Sequence, residues 1–142
     1  MKTTKGKIIS IVLATVTGFV VSAIWYTLFG PLWQQLRDGV EAIAAEEAGL
    51  GVMLGEIVRT FILACVLTYF VLTLEIKTLM QTVSFGIVVW VGFPFIILLG
   101  SVLHENVHPG IAAIHIGDWL VKLMAMLSIL SIRYKKHQTS SI

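Results

Sequence analysis

The chain has 142 residues, 57% of them hydrophobic and only 13% charged, with a mean hydropathy of +0.93. Soluble domains are nearer 45–50% apolar and about 25% charged. The imbalance excludes a disordered chain and argues against a soluble globular one, which could not cover so much apolar surface. Ten basic and eight acidic residues leave a formal charge of +2. No basic groove with interleaved aromatics is present, so nucleic-acid binding has no support. Cys65 stands alone in an apolar run, which excludes an intrachain disulfide and a thiolate metal cluster.

Four apolar runs follow in chain order, at 8–29, 50–74, 82–103 and 111–132. Each has about 20 or more residues, enough to cross a hydrocarbon core of about 30 Å as a helix. None alternates as a barrel strand would. The expected fold is a single domain over 1–142, an all-α integral membrane protein of four transmembrane helices. The first run has a basic start and a Val21-Ser22-Ala23 stretch that imitates a signal peptide. It continues unbroken through Ile24-Trp25-Tyr26, so it is read as a retained helix.

Lys2, Lys5 and Lys7 precede the first run, and Arg133, Lys135 and Lys136 follow the last. The 31–49 connection sets Arg37 against Asp38, Glu41, Glu46 and Glu47. The positive-inside rule then places both termini in the cytoplasm. The expected location is a cell membrane, the bacterial cytoplasmic membrane, with lipids as partners. Trp25, Tyr26, Trp33, Trp119 and Tyr134 fall where interfacial aromatic belts would lie, whereas Trp90 is deeper and reads as a packing residue.

Ala14, Gly18 and Ser22, and likewise Ala113 and Gly117, make small-residue stripes at four-residue spacing, of the kind that lets membrane helices approach closely. Pro94, among Gly86, Gly92 and Gly100, predicts a kinked third helix, either a local bend or one that opens a polar pocket. A connecting loop from Pro31 to Gly49 holds a short surface helix around Val40 to Ala48, and the tail from His137 to Ile142 is expected to fray.

Four charges interrupt the apolar runs. At 1.5 Å per residue, Arg59 lies about 24 Å from the Glu75 end of its helix and Asp118 about 22 Å from the Arg133 end of its own. Glu56 is one turn further out and Lys122 one turn deeper. Glu56 pairs with Arg59 at a spacing of three and Asp118 with Lys122 at four. An unpaired charge near the bilayer centre costs at least about 2.5 kcal/mol, so a buried ion network between the second and fourth helices is expected. It either locks helix register or lines a polar cavity for an ion, proton or small solute.

Residues 104–108 read His-Glu-Asn-Val-His, literally H-E-x-x-H. On a helix, His104 and His108 would hold zinc with Glu105 polarising its water, and His115, Asp118 or Glu56 as a third ligand. Pro109 argues against this, because it bars the preceding residue from helical geometry and cannot donate to the Glu105 carbonyl. The histidines are therefore read as interfacial loop residues, with no metal, no cofactor and no catalytic residue assigned.

Two stretches carry a resemblance. Gly18-Phe19-Val20-Val21-Ser22-Ala23-Ile24-Trp25-Tyr26, then Leu28-Phe29-Gly30 and Trp33, is similar to the amino-terminal signature of a bacterial four-span family, domain of unknown function 1761. Trp90-Val91-Gly92-Phe93, then Gly100 to Glu105 and Gly117 to Met126, is similar to that family's carboxy-terminal half. The resemblance implies a small multi-pass protein with no established catalysis. It places Trp25, Tyr26 and Glu105 at the family's aromatic and acidic positions, as candidates to frame an outer face. Asp118 and Lys122 are less typical of the family pattern. Three functional classes follow: a permease-like or solute-binding module lined by Glu56, Arg59, Asp118 and Lys122; a structural or partner-stabilising membrane subunit; and a metal-dependent membrane hydrolase. Four short helices enclose little volume, so self-association is a further expectation.

Overall fold

The computed structural model describes residues 4–37 and 49–139, with side chains through Lys136. It is helical throughout: α1 (Thr4–Arg37), α2 (Leu50–Thr73), α3 (Leu79–Trp90), a π-helical turn (Val91–Phe95), α4 (Ile96–His104) and α5 (Pro109–Thr139). The α3, π-turn and α4 segments form one continuous span. Among the described residues, four spans are thus long and apolar enough to cross a membrane. Their outward faces are apolar, as hydrocarbon requires, from Ile8 and Leu28 on α1 to Ile132 on α5.

The hub is α5. Of its most apolar stretch 39% is buried, against 11% in the third span. It packs along α1 most extensively and also against α2, α3 and α4. Its buried positions recur at helical spacing through Asp118, Lys122, Met126 and Leu130 to Tyr134. The first helix answers with Gly6, Ser10, Ala14, Gly18 and Ser22, one buried small residue every turn. The predicted stripe therefore serves contacts within the chain and is longer than its three expected members. Gly18 shows why it must be small: a Cβ there would meet Met126 Sδ at 2.6 Å and Thr60 Cγ2 at 2.9 Å. The second predicted stripe fails at Ala113, which is exposed, while Gly117 lies against the Trp25 ring.

Three boundaries differ from the sequence reading. Pro31 does not start a loop, because α1 runs on to Arg37. The residue before it is Gly30, which has no Cβ to clash with the proline ring, and Leu36 packs over Gly110 at the start of α5. The expected surface helix at 40–48 and the acidic residues 38, 41, 46 and 47 lie outside the described residues. At the other end α5 stays helical to Thr139 rather than fraying from His137. The third span starts at Leu79, earlier than expected, on a capping box: Gln81 N donates to Thr78 Oγ1 (3.2 Å) and Thr78 N donates to Gln81 Oε1 (3.1 Å).

The α2–α3 connection is tight. Glu75 takes a left-handed conformation (φ 52°) and Ile76 N returns to Val71 O at 3.1 Å, a Schellman closure with Ile76 buried beside Val71. Lys77 bonds Glu75 at 2.8 Å, which raises its pKa above the ordinary lysine value. The predicted kink is the π-turn containing Pro94; widening by one residue accommodates the missing amide hydrogen. Arg133 Nε donates to Ser10 Oγ at 2.8 Å, so the start of α1 and the end of α5 share one side of the bundle.

Candidate functional site

Extending the buried stripe of α2 (Thr60, Ala64, Leu67) one turn outward reaches Glu56. Continuing the α1 stripe one turn beyond Ser22 reaches Tyr26. Glu56 meets the charged turn of α5, and Tyr26 meets His115 just before it. Lys122 is 1% exposed, and its Nζ lies 2.9 Å from Glu56 Oε1 and 3.7 Å from Asp118 Oδ2. Ser22 Oγ donates to Asp118 Oδ1 at 2.6 Å. Thr60 Oγ1 donates to Glu56 Oε1 at 3.3 Å, and Arg59 Nη2 reaches Glu56 Oε2 at 2.7 Å. Two carboxylates and two cations of formally zero net charge thus join α1, α2 and α5.

The four charges differ in surroundings. Asp118 and Lys122 are enclosed, whereas the Arg59 side chain is 52% exposed. Lys122 has three donors and no acceptor; two carboxylates and the Trp119 ring, 5.5 Å from Nζ, take up its surroundings. The Arg59 guanidinium lies over the same ring at 5.4 Å. The arrangement is chemically a closed clamp, in which each buried charge faces an opposite one.

Trp25 Nε1 donates to Ile114 O (3.0 Å) and Tyr26 Oη meets His115 Nδ1 at 2.6 Å, so both tie α1 to α5. Their partners lie five and six residues inside α5 from Pro109. Trp119 likewise sits within the bundle, and Tyr134 is buried in the core. Trp90 does pack, donating to Ile116 O at 2.9 Å. Glu105, His104 and His108 are exposed on the α4–α5 turn. The helix stops at His104, Asn106 is left-handed (φ 56°), and His108 Nδ1 accepts from Gly110 N at 3.1 Å. Pro109 begins the next helix. The two histidines therefore do not share a helical face, and His115 is engaged by Tyr26. Among the described residues, no group of three His, Cys, Asp or Glu side chains is placed to hold a metal ion.

One feature had no sequence signal. α2 and α3 are neighbours in the chain, yet their backbones do not come together. Between them is an apolar cleft of about 580 Å³, with Leu63, Phe70, Phe85, Val89 and Pro94 in its walls and Trp119 on the α5 side. Ser22 and Thr60 were also missed as network members; the four-residue spacing from Ser22 to Tyr26 and from Glu56 to Thr60 is the signal that marks them.

A four-span membrane bundle with an internal ion clamp is the class that this architecture defines. The family described as "Protein of unknown function (DUF1761)" matches residues 9–131 by its family model, and the chain belongs to that family. No curated protein and no solved structure matches it.

Proposed function

We propose that this is a binding module for an apolar or amphiphilic molecule of the bilayer, with the α2–α3 cleft as the binding surface and the ion network as the clamp that fixes its frame. The observation that carries this reading is the 580 Å³ apolar cleft between two consecutive helices, a volume in the usual range of ligand pockets. The enclosure of Lys122 by Glu56 and Asp118 favours a clamp over a wet lining for a polar solute. We place the protein in the bacterial cytoplasmic membrane with both termini inside, supported by Lys5, Lys7, Arg133, Lys135 and Lys136 near the shared end of α1 and α5.

Photolabelling in lipid nanodiscs with a membrane-soluble diazirine probe tests the binding surface. Labels concentrated on cleft residues such as Leu63 and Val89 are expected. Labels spread evenly over every lipid-facing residue, including Ile24 and Ile132, contradict it. Reporter fusions within the 38–48 connection and after residue 142 should report opposite sides of the membrane.

A second reading, a subunit that stabilises a partner, draws on a shallow apolar groove of about 280 Å³ on the lipid side of α1, between Phe19 and Leu28. A stoichiometric companion in mild detergent, lost on Ala23→Trp, would favour it.

A further inference from the structure

Charge is divided unevenly along the bundle. Seven of the chain's eight acidic side chains belong to the 38–48 connection, the ion clamp or the α4–α5 turn. Among the described residues, Glu75 alone stands at the end where α1 starts and α5 finishes, and Lys77 takes it at 2.8 Å. The Lys77 ammonium lies 5.7 Å over the Tyr134 ring, which fixes the α2–α3 turn beside this end of α5. Lys5 and Lys7 on α1 and Arg133, Lys135 and Lys136 on α5 add five further cations. The excess of positive charge is thus gathered on these two helices.

One of these cations is anchored. Ser10 is fully buried in the α1–α5 seam, where its hydroxyl donates to Gly6 O at 2.9 Å and accepts from Arg133 Nε at 2.8 Å. With Nε held, the guanidinium keeps its Nη1–Nη2 edge, which suits two oxygens of one phosphate. Among the described residues, no carboxylate pairs with Arg133. The antiparallel pairing of Ser10 with Arg133 sets Lys7 three residues before the one and Lys136 three residues after the other. Both lysines are exposed and stand one turn nearer the same end.

Apolar surface adjoins the cations directly. Ile8 and Ile9 follow Lys7, and Ile132 precedes Arg133; all three are exposed. A free phosphate or an acidic polypeptide answers the cations alone. An anionic head joined to hydrocarbon chains answers the cations and covers the isoleucines as well.

We infer that the α1–α5 seam at this end binds the phosphate headgroup of an anionic phospholipid. Arg133, oriented by Ser10, grips the phosphate, and Lys7 and Lys136 supply the field that disfavours a zwitterionic head, which brings a cation of its own. The site is separate from the α2–α3 cleft and does not depend on it.

The intact protein in phosphatidylcholine vesicles, with a trace of chain-spin-labelled phosphatidylglycerol or phosphatidylcholine, tests this. The fraction of each label immobilised by the protein is read by electron paramagnetic resonance. Phosphatidylglycerol should be preferred by about fivefold, the equivalent of one basic contact. Arg133→Gln and Lys77→Gln lower the net charge equally, yet the first should remove most of the preference and the second little of it. Ser10→Ala leaves every charge in place but releases the guanidinium, and it should lower the preference too. Equal immobilisation of the two lipids overturns the proposal. Equal losses in Arg133→Gln and Lys77→Gln, or a preference untouched by Ser10→Ala, would assign the effect to net charge and overturn the site. Release of the immobilised lipid by soluble glycerol phosphate would give the seam to a free phosphate, and release by polyglutamate would give it to an acidic polypeptide; either overturns the lipid assignment.

Discussion

The two sides of α5 are built oppositely. Toward α1 it meets a glycine, serine or alanine at every turn, and the backbones close until Gly18 has no room for a methyl group. Toward the α2–α3 gap it presents Trp119, and the flanking helices carry Phe70, Phe85 and Phe93. Small residues let membrane helices approach until van der Waals contact and hydrogen bonds hold them. Bulky aromatics keep two helices apart that a short turn would otherwise bring together. The ion network lies at the junction, with Lys122 on the closed side and Arg59 on the open one. The contrast teaches that a four-span chain can concentrate its polar interactions on one seam and leave another open.

The closed seam should be fragile and the open one tolerant. Lys122→Met strands the enclosed Asp118 carboxylate and leaves Glu56 with Arg59 alone, and it should cost about 3–5 kcal/mol, read as a lower midpoint in reversible denaturant titration of the reconstituted protein. Gly18→Leu forces side-chain atoms into Met126 and Thr60 and should cost about 3 kcal/mol, the upper end of ordinary overpacking, in the same titration. Ser22→Ala removes a hydrogen bond to a charged acceptor at 2.6 Å, and a loss of about 2 kcal/mol is expected. In the turn that holds the cleft's inner end, Glu75→Gly should stabilise by about 1 kcal/mol, because glycine adopts the left-handed conformation without the Cβ penalty; a rise in thermal midpoint would report it. Val66→Ala, at a half-exposed cleft position, should stay within about 0.5 kcal/mol of the parent. A large loss there would mean that the open seam is packed.

The spans were legible because hydrocarbon sets their length and excludes charge. Helix ends were less so. Gly30 before Pro31 carries α1 through a proline that ordinarily stops a helix, and the Thr78–Gln81 capping box, visible as Thr-Leu-Met-Gln, went unused. The pairing of Glu56, Arg59, Asp118 and Lys122 was legible from depth arithmetic, since unpaired charges at one level of a bilayer must find one another. Pro109 correctly marked the H-E-x-x-H run as a turn. The cleft was not legible: it depends on which way the Pro94 π-turn sends α4 and on how far Phe70 and Phe85 hold α2 from α3, and neither has a periodic signature. Trp25 and Tyr26 were legible as outer aromatics, but their pairing across helices, Trp25 beside Gly117 and Tyr26 bonded to His115, was not, because it depends on how α1 is rotated against α5.

The clamp is tested most directly by comparing Lys122→Met with the triple replacement Lys122→Met, Glu56→Gln, Asp118→Asn. The single variant leaves the enclosed Asp118 uncompensated, whereas the triple variant leaves no enclosed charge, only the half-exposed Arg59. The account predicts that the single variant loses about 3–5 kcal/mol and that the triple variant recovers most of it, with probe labelling of the cleft restored in parallel. A single variant as stable as the parent, or a triple variant no better than the single, would contradict the assignment of these residues as the clamp.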